Sequence, residues 1–435
     1  MLLLPFLAAC GDDGWFGSSE DPALPGKRIN ILDFGAAIAA DPELAGQPVT
    51  LGAAVDATWS QPYGGSGHDA GHRALGANAS LAWSINIGAG SDDEERRIVY
   101  PPVTSATTIF TLDADGDIAA WSIDDGDRIW RVAPTPEDEE DGFGGGLAYH
   151  DGTLYFAAGF AQVVAFNAAT GEEQWRVNLP TPSRAAPAID DGQVFVITVD
   201  NRLITLDAAT GRLLWTFDSP PATASLLGGA TPAAADGAVI AATTTGELVA
   251  FRAVNGRVTW DDSLTAVRRI GVAEAIPAVR ALPVITGGQV IAVGAAGLIA
   301  GIDFATGARR WDVAFGGAET PAISGDYVFL VTDRGQLAAL RLQDGRVAWS
   351  TDMKSAAGDI AEDDASAEVR HYAGPVIAGG ELIVVRGDGV LLFFNVADGA
   401  LSRRTELSGD TVLAPIVANR TLFVLTDSGV LEAYR

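Results

Sequence analysis

Three stretches of this 435-residue chain carry residue types that could do chemistry. Asp113, Asp115 and Asp117 alternate in LDADGDI (112–118), which hints at a calcium loop. An EF-hand pattern needs a third acidic or amide position before its glycine and a distant glutamate, so the stretch reads instead as a tight hairpin turn. His68 and His72 have the spacing that aligns two zinc ligands on a helix face. They lie in GGSGHDAGH (64–72), too glycine-rich to hold a helix, and no third ligand follows nearby; only His150 and His371 remain elsewhere. Cys10 is the one cysteine, which excludes an internal disulfide, a CxxC redox pair and a multi-cysteine metal site. No GxSxG nucleophile elbow or phosphate-cradling loop is present. These residues assign no catalytic group, no metal site and no cofactor.

Composition narrows the partners. The chain has 56 acidic against 28 basic residues, a net charge of −28. Phosphates would be repelled, which disfavours nucleic acid, and no basic face is offered to anionic lipid headgroups. The acidity is dispersed: the longest run of like charge is the five residues 137–141. The most apolar internal stretch, VIAVGAAGLIAGI (290–302), has 13 residues. As a helix it would reach about 20 Å against a bilayer core of about 30 Å. At the N-terminus, MLLLPFLAAC ends in Leu7, Ala8, Ala9 and Cys10 and is followed by polar GDDG. This resembles the lipobox of bacterial lipoproteins, which implies a signal peptide over 1–9, truncated relative to the usual basic start, and lipidation of Cys10. In that pattern Gly11, rather than an aspartate, after the cysteine favours the outer membrane. Acyl chains at about 0.8 kcal/mol per buried methylene would then supply the membrane attachment.

The rest of the chain must be the scaffold. The phrase LITLDAATGRLLW (203–215) recurs in variants whose turn glycines are Gly126, Gly171, Gly211, Gly256, Gly307, Gly345 and Gly399, at intervals of 45, 40, 45, 51, 38 and 54 residues. Glycine can take the left-handed backbone of a bulged hairpin turn, and Asp207 can hydrogen-bond the turn's own amides. Four residues after each glycine stands a tryptophan, at 130, 175, 215, 260, 311 and 349; the last station has Arg403. Upstream of each hairpin, a proline precedes a short apolar strand and a turn, as at Pro187 to Gly192 and Pro321 to Gly325. Runs rich in β-branched and aromatic residues follow, such as VFVITV (194–199). Each unit therefore supplies four strands at the period of a β-propeller blade.

The termini give the blade count. The last unit starts at Pro415 and ends at Arg435 after its third strand, and the missing strand stands at LAWSI (81–85), which contains Trp83. The expected fold is all-β: an eight-bladed β-propeller of four-stranded antiparallel blades over 73–435, closed by an N-terminal strand in the C-terminal blade. Trp83, Trp130, Trp175, Trp215, Trp260, Trp311 and Trp349 are its structural blade residues, packed across to a neighbouring blade or within their own sheet. Residues 10–72 do not repeat and read as an extended tether, with Pro22, Pro25, Pro42, Pro48 and Pro62.

The AxxxTGxxxW hairpin resembles that of quinoprotein dehydrogenases over about 80–435, a likeness of fold more than of activity. Those enzymes hold their quinone beneath two adjacent cysteines and beside a calcium ion, and this chain has no second cysteine. With the lipobox, WSQPYGG (59–65) and the closing GVLEAYR (429–435), the chain is more similar to the BamB family, the propeller lipoproteins of the outer-membrane β-barrel assembly machinery. That resemblance implies a non-enzymatic scaffold, lipid-anchored at the periplasmic face of the outer membrane. It would bind soluble periplasmic domains of the barrel-inserting subunit and assist nascent outer-membrane proteins. The family's partner loop carries leucine-x-leucine-arginine before Ala-Pro; here Arg184 matches the arginine, and Thr181 and Ser183 stand for the leucines. The family's aspartate pair before a later Pro-Val is missing at Ala278 to Val284. The alternatives are a quinone-dependent dehydrogenase and a propeller that captures envelope ligands by its rim.

Overall fold

The computed structural model describes residues 38–44, 46–91, 96–134, 145–183, 185–219, 230–264, 281–294, 297–317, 319–357 and 371–435. Cys10, the signal peptide 1–9, the first part of the tether and Arg184 lie outside them.

Among the described residues the strands form eight four-stranded antiparallel sheets. Seven run consecutively along the chain. Blade 1 spans Val103–Val132, blade 2 Gly145–Asn178, blade 3 Ala188–Asp218, blade 4 Ala233–Ser263, blade 5 Val284–Val313, blade 6 Ala322–Asp352 and blade 7 Tyr372–Glu406. Blade 8 takes three strands from Ile416–Tyr434 and its fourth from Leu81–Asn86, paired from Leu81 opposite Tyr434 to Asn86 opposite Val430. Ser80 and Arg435 extend this pairing through reciprocal backbone hydrogen bonds of 2.8 and 2.9 Å. The chain is an eight-bladed propeller closed by its own two ends.

Burial explains the strand types. The third strand of blade 3, Arg202–Asp207, is buried along its middle on both faces, whereas the fourth, Leu213–Asp218, alternates between exposed and half-buried. Continuous apolar runs thus mark strands sandwiched between neighbouring blades, and alternation marks the outer edge. The apolar clusters lie between blades: Phe110 and Phe156 between blades 1 and 2, Phe195 and Phe251 between 3 and 4, Phe329 and Phe394 between 6 and 7.

The tryptophans span these gaps. Each indole Nε1 donates to a backbone carbonyl of the next blade: Trp83 to Ile123 (3.1 Å), Trp130 to Ala168 (3.0 Å), Trp175 to Ala208 (3.1 Å) and Trp215 to Ala253 (2.7 Å). Trp260 reaches Phe304 (2.9 Å), Trp311 reaches Leu342 (2.8 Å) and Trp349 reaches Val396 (2.9 Å). Every acceptor stands three residues before a hairpin glycine, and that glycine faces the same indole. A β-carbon on Gly256, at φ +66°, would lie 2.4 Å from the Trp215 ring. The glycine therefore provides both the left-handed turn and the space for the ring.

The one station without tryptophan has a physical reason. Between blades 7 and 8 the receiving hairpin does not exist, because the third and fourth strands of blade 8 come from opposite ends of the chain. Arg403 instead stays within blade 7, its guanidinium 3.3 Å from the Phe393 ring centroid and paired with Glu381 at 3.1 Å.

The described residues of 38–72, read from sequence as part of an extended tether, lie against the ring. Asp41 N donates to Val347 O at 2.8 Å, and Arg346 pairs with Asp41 and Glu43 at 2.7 Å each, along the outer strand of blade 6. The proline and glycine content does prevent regular structure, apart from a single 3-10 turn at Pro62–Gly64. It does not prevent docking, because the backbone groups find partners on the blades.

The junction geometry predicts a graded series in urea unfolding. Trp215→Phe should cost about 1 kcal/mol through the unpaired Ala253 carbonyl, before any loss of packing. Gly256→Ala should cost more than about 2 kcal/mol, from backbone strain plus the clash with Trp215. Gly192→Ala shares the positive φ (+71°) but meets open space, and should cost only about 1 kcal/mol.

Candidate functional site

The first strands of neighbouring blades touch one another and surround the axial hub. In blades 1 to 6 the first turn sits beside the tryptophan-receiving hairpin, as Ala208 N bonding Gly192 O at 2.9 Å illustrates in blade 3. These turns make one rim. The second turns and the connections between blades make the other, tied together by bonds such as Val199 N to Pro182 O (2.9 Å) and Leu179 N to Ala161 O (2.7 Å).

The first rim is occupied by the chain itself. Residues 52–73 circle the hub in one direction and bond blades 6, 8, 1, 2, 3, 4, 5 and then 7. Gly52 N donates to Ser324 Oγ of blade 6 at 2.9 Å, and Ala57 O accepts from Asn419 N of blade 8 at 3.3 Å. Trp59 O accepts from Thr104 N of blade 1 (2.8 Å) and Ser60 O from Tyr149 N of blade 2 (2.7 Å). The Gln61 amide binds Ile189 of blade 3 twice, accepting from its N and donating to its O, both at 2.9 Å. Ser66 O and Gly67 O accept from Ala234 N of blade 4 (2.8 Å) and Ile285 N of blade 5 (2.9 Å), and Arg73 N donates to Ile377 O of blade 7 at 2.8 Å. An innermost strand has a free edge, and this segment satisfies part of that edge in blades 1, 2, 3, 4, 5 and 7 and reaches the first turn or a side chain beside it in blades 8 and 6.

The histidines of this hoop do not form a metal pair. His68 is buried and its Nδ1 bonds Pro283 O at 2.9 Å; His72 Nδ1 bonds Gly52 O at 2.9 Å while its Nε2 accepts from Gly380 N at 3.0 Å. The partners set the tautomer of each: Nδ1 carries the proton. Burial pulls His68 down to about 4, against the opposing effect of its bond to Pro283. Among the described residues, no three of His, Cys, Asp and Glu come together as a metal-binding group.

The aspartate turn is likewise committed to structure. The Asp113 carboxylate accepts from the amides of Asp115 (3.1 Å), Asp117 (2.9 Å) and Ala89 (3.2 Å). Arg131 pairs with Asp113 at 3.0 Å and with Asp117 at 2.8 Å, and Arg96 with Asp115 at 2.6 Å. Burial, with the nearby Asp117 charge, raises the Asp113 pKa, and the Asp117 and Ala89 amides and Arg131 act against it. The turn thereby fastens blade 1 to the segment that follows the closing strand.

On the second rim, the connection from blade 2 to blade 3 contains the candidate partner residues. Thr181 Oγ1 donates to Asp200 at 2.7 Å. Ser183 is fully buried, with its Oγ bonded to Ala185 O (3.0 Å) and Ile197 O (2.9 Å). The two positions where the family pattern has leucine therefore tie this connection to the second turn of its own blade. In the later connection Leu282 N donates to Thr320 Oγ1 at 2.8 Å and Val284 is buried.

A sequence model described as "Outer membrane protein assembly factor BamB" matches residues 114–351. The chain belongs to the BamB family. It is 25% identical to the outer membrane protein assembly factor BamB of Yersinia pestis over 362 residues, covering 81% of this chain and 88% of that one. Against the BamB of Xanthomonas campestris pv. campestris the identity is 27% over 359 residues, covering 81% and 85%. Among solved structures, BamB from Moraxella catarrhalis superposes with a TM-score of 0.69 at 20% identity, covering 82% of this chain and 99% of that one. Quinohemoprotein alcohol dehydrogenase from Comamonas testosteroni superposes with a TM-score of 0.67 at 14% identity, covering 87% and 80%. At such identities the superpositions speak for the fold alone.

The hoop was not readable from sequence as a hub element. Its available signal was the non-repeating cluster of Trp59, Gln61 and several glycines directly before the closing strand.

Burial of His68 predicts acid sensitivity. The unfolded chain takes up a proton at this ring below its ordinary pKa of 6.5, and the folded chain only near 4. The stabilisation is complete above 6.5 and is lost as pH falls towards 4, up to about 3 kcal/mol in all. The backbone of His68 is left-handed (φ 59°), and His68→Asn, which tolerates that conformation, should flatten this part of the urea-stability profile between pH 7 and 4.5. An unchanged slope would place the sensitivity elsewhere.

Proposed function

We propose that this chain is a non-enzymatic scaffold lipoprotein in outer-membrane protein assembly. It is anchored through Cys10 on the periplasmic face of the outer membrane and holds the soluble periplasmic domains of the barrel-inserting subunit while nascent barrels fold. Membership of the BamB family supports the role in assembly. The observation that carries the scaffold reading is the hoop: one mouth of the hub is taken by its backbone and side-chain hydrogen bonds to all eight blades. The other rim, which gathers the connections between blades, is left as the docking face. The fold likeness to a quinohemoprotein dehydrogenase brings no site with it, since the adjacent cysteines of that group have no counterpart in this sequence.

On this reading a few anchors supply most of the binding energy, with Arg184 giving a charge-assisted hydrogen bond to a carboxylate or carbonyl of the partner. The flanking Thr181 and Ser183 are engaged with their own blade, so the apolar share of the contact comes from other residues. Purified full-length chain should capture the periplasmic domains of the barrel-inserting subunit. Arg184→Ala should weaken capture about tenfold, the equivalent of about 1.4 kcal/mol, with no change in thermal unfolding. Equal binding by the variant would remove Arg184 from the interface, and no capture by the unmodified chain would sink the scaffold reading.

A further inference from the structure

Seven of the eight junctions share one lock: an indole donating to the carbonyl three residues before a hairpin glycine. The junction from blade 7 to blade 8 has neither the indole nor the hairpin. It lies beside the blade that closes the ring, blade 8, whose third and fourth strands come from opposite ends of the chain. The two ends of the hoop cross at this place. Val55 N donates to His72 O at 2.8 Å, and Ala74 N donates to Val55 O at 2.9 Å. On the far side of the crossing, Arg73 bridges to Ala378 of blade 7, with Arg73 N to Ile377 O at 2.8 Å and Gly379 N to Arg73 O at 3.0 Å. Two residues after Val55, Ala57 O accepts from Asn419 N of blade 8. The arms are also linked by side chains. The Arg73 guanidinium lies 5.4 Å from the Trp59 ring centroid, and Trp59 is buried in the apolar cluster shared by blades 7, 8 and 1.

We propose that the crossing of the hoop at Val55 and Arg73 is the eighth inter-blade lock, taking the place of the missing tryptophan at the closing junction. The connection runs from blade 7 through Arg73 to Val55, and from Val55 through Ala57 to blade 8. It lies on the chain immediately upstream of the closing strand, so it holds the same segment that pairs with Val430–Tyr434. The other locks are side chain to backbone because a hairpin is there to receive them. This one is backbone to backbone because the receiving hairpin is replaced by the chain ends.

Hydrogen exchange read by mass spectrometry tests this on the full chain. Val55 is exposed, so Val55→Pro chiefly removes its N–H, while Val55→Ala keeps it. Val55→Pro should speed exchange of 81–86 and 416–418 at least tenfold and leave blades 3 and 4 unchanged; Val55→Ala should resemble the unmodified chain. Acceleration spread evenly around the ring, or none at the closing junction, would overturn the proposal. A measurement without substitution guards against a variant that fails to fold. In the unmodified chain at rising sub-denaturing urea, the amides of Val55, Arg73 and Ala74 should open together with those of 81–86. Exchange of the crossing while the closing strand stays protected would overturn it equally.

Discussion

Each blade is a sheet with two apolar faces and only its two neighbours to cover them, so the molecule depends on the contact between one blade and the next. The core is not central; it is divided into layers between the sheets. At the outer edge of seven of the eight layers a tryptophan ring fills the gap and its N–H ends on a carbonyl of the following blade. The hairpin glycine opposite has no side chain to obstruct the ring and accepts the left-handed backbone the turn requires. Repeated from blade to blade, this pairing sets their spacing and rotation.

A junction that repeats still has to end, and a ring ends on itself. Drawing the fourth strand of blade 8 from the N-terminal side closes the circle but removes the hairpin that would receive an eighth indole. The hoop answers a second need created by the same architecture. Eight innermost strands turn one edge towards the axis, with amides that require partners. A short irregular segment can meet eight edges pointing in eight directions; a strand or helix, whose hydrogen-bonding groups point in fixed directions, cannot. The consequence for function is an asymmetric ring. One rim is engaged with its own chain, and the other carries the connections between blades, where loop length and sequence can vary without disturbing the locks.

Much of the fold was legible because it is local and repeated. The turn glycines with tryptophan four residues later marked each blade, and Trp83 near one end with a truncated unit at the other gave both the count and the closure. Arg403 was visible as an exception, but its reason was not, since that requires knowing that no hairpin faces it. The aspartates at 113, 115 and 117 could be read as a turn from their place in the repeat. The hoop escaped because it has no period and its partners are scattered: Gln61 and Ile189 are 128 residues apart. His68 and His72 invite a pairing by their spacing, yet they serve two different blades. Thr181 and Ser183 look like a weakened docking pattern until their hydroxyls are seen to satisfy their own blade.

By itself, then, the sequence determined the blade, the number of blades and the way the ring shuts, because these follow from short-range turn chemistry and from the spacing of identical units. Only the tertiary structure decided what residues 52–74 do, which rim they occupy and why the eighth tryptophan is missing. Those depend on hydrogen bonds between segments that become neighbours only once the circle is complete, and nothing in the order of residues along the chain records that neighbourhood.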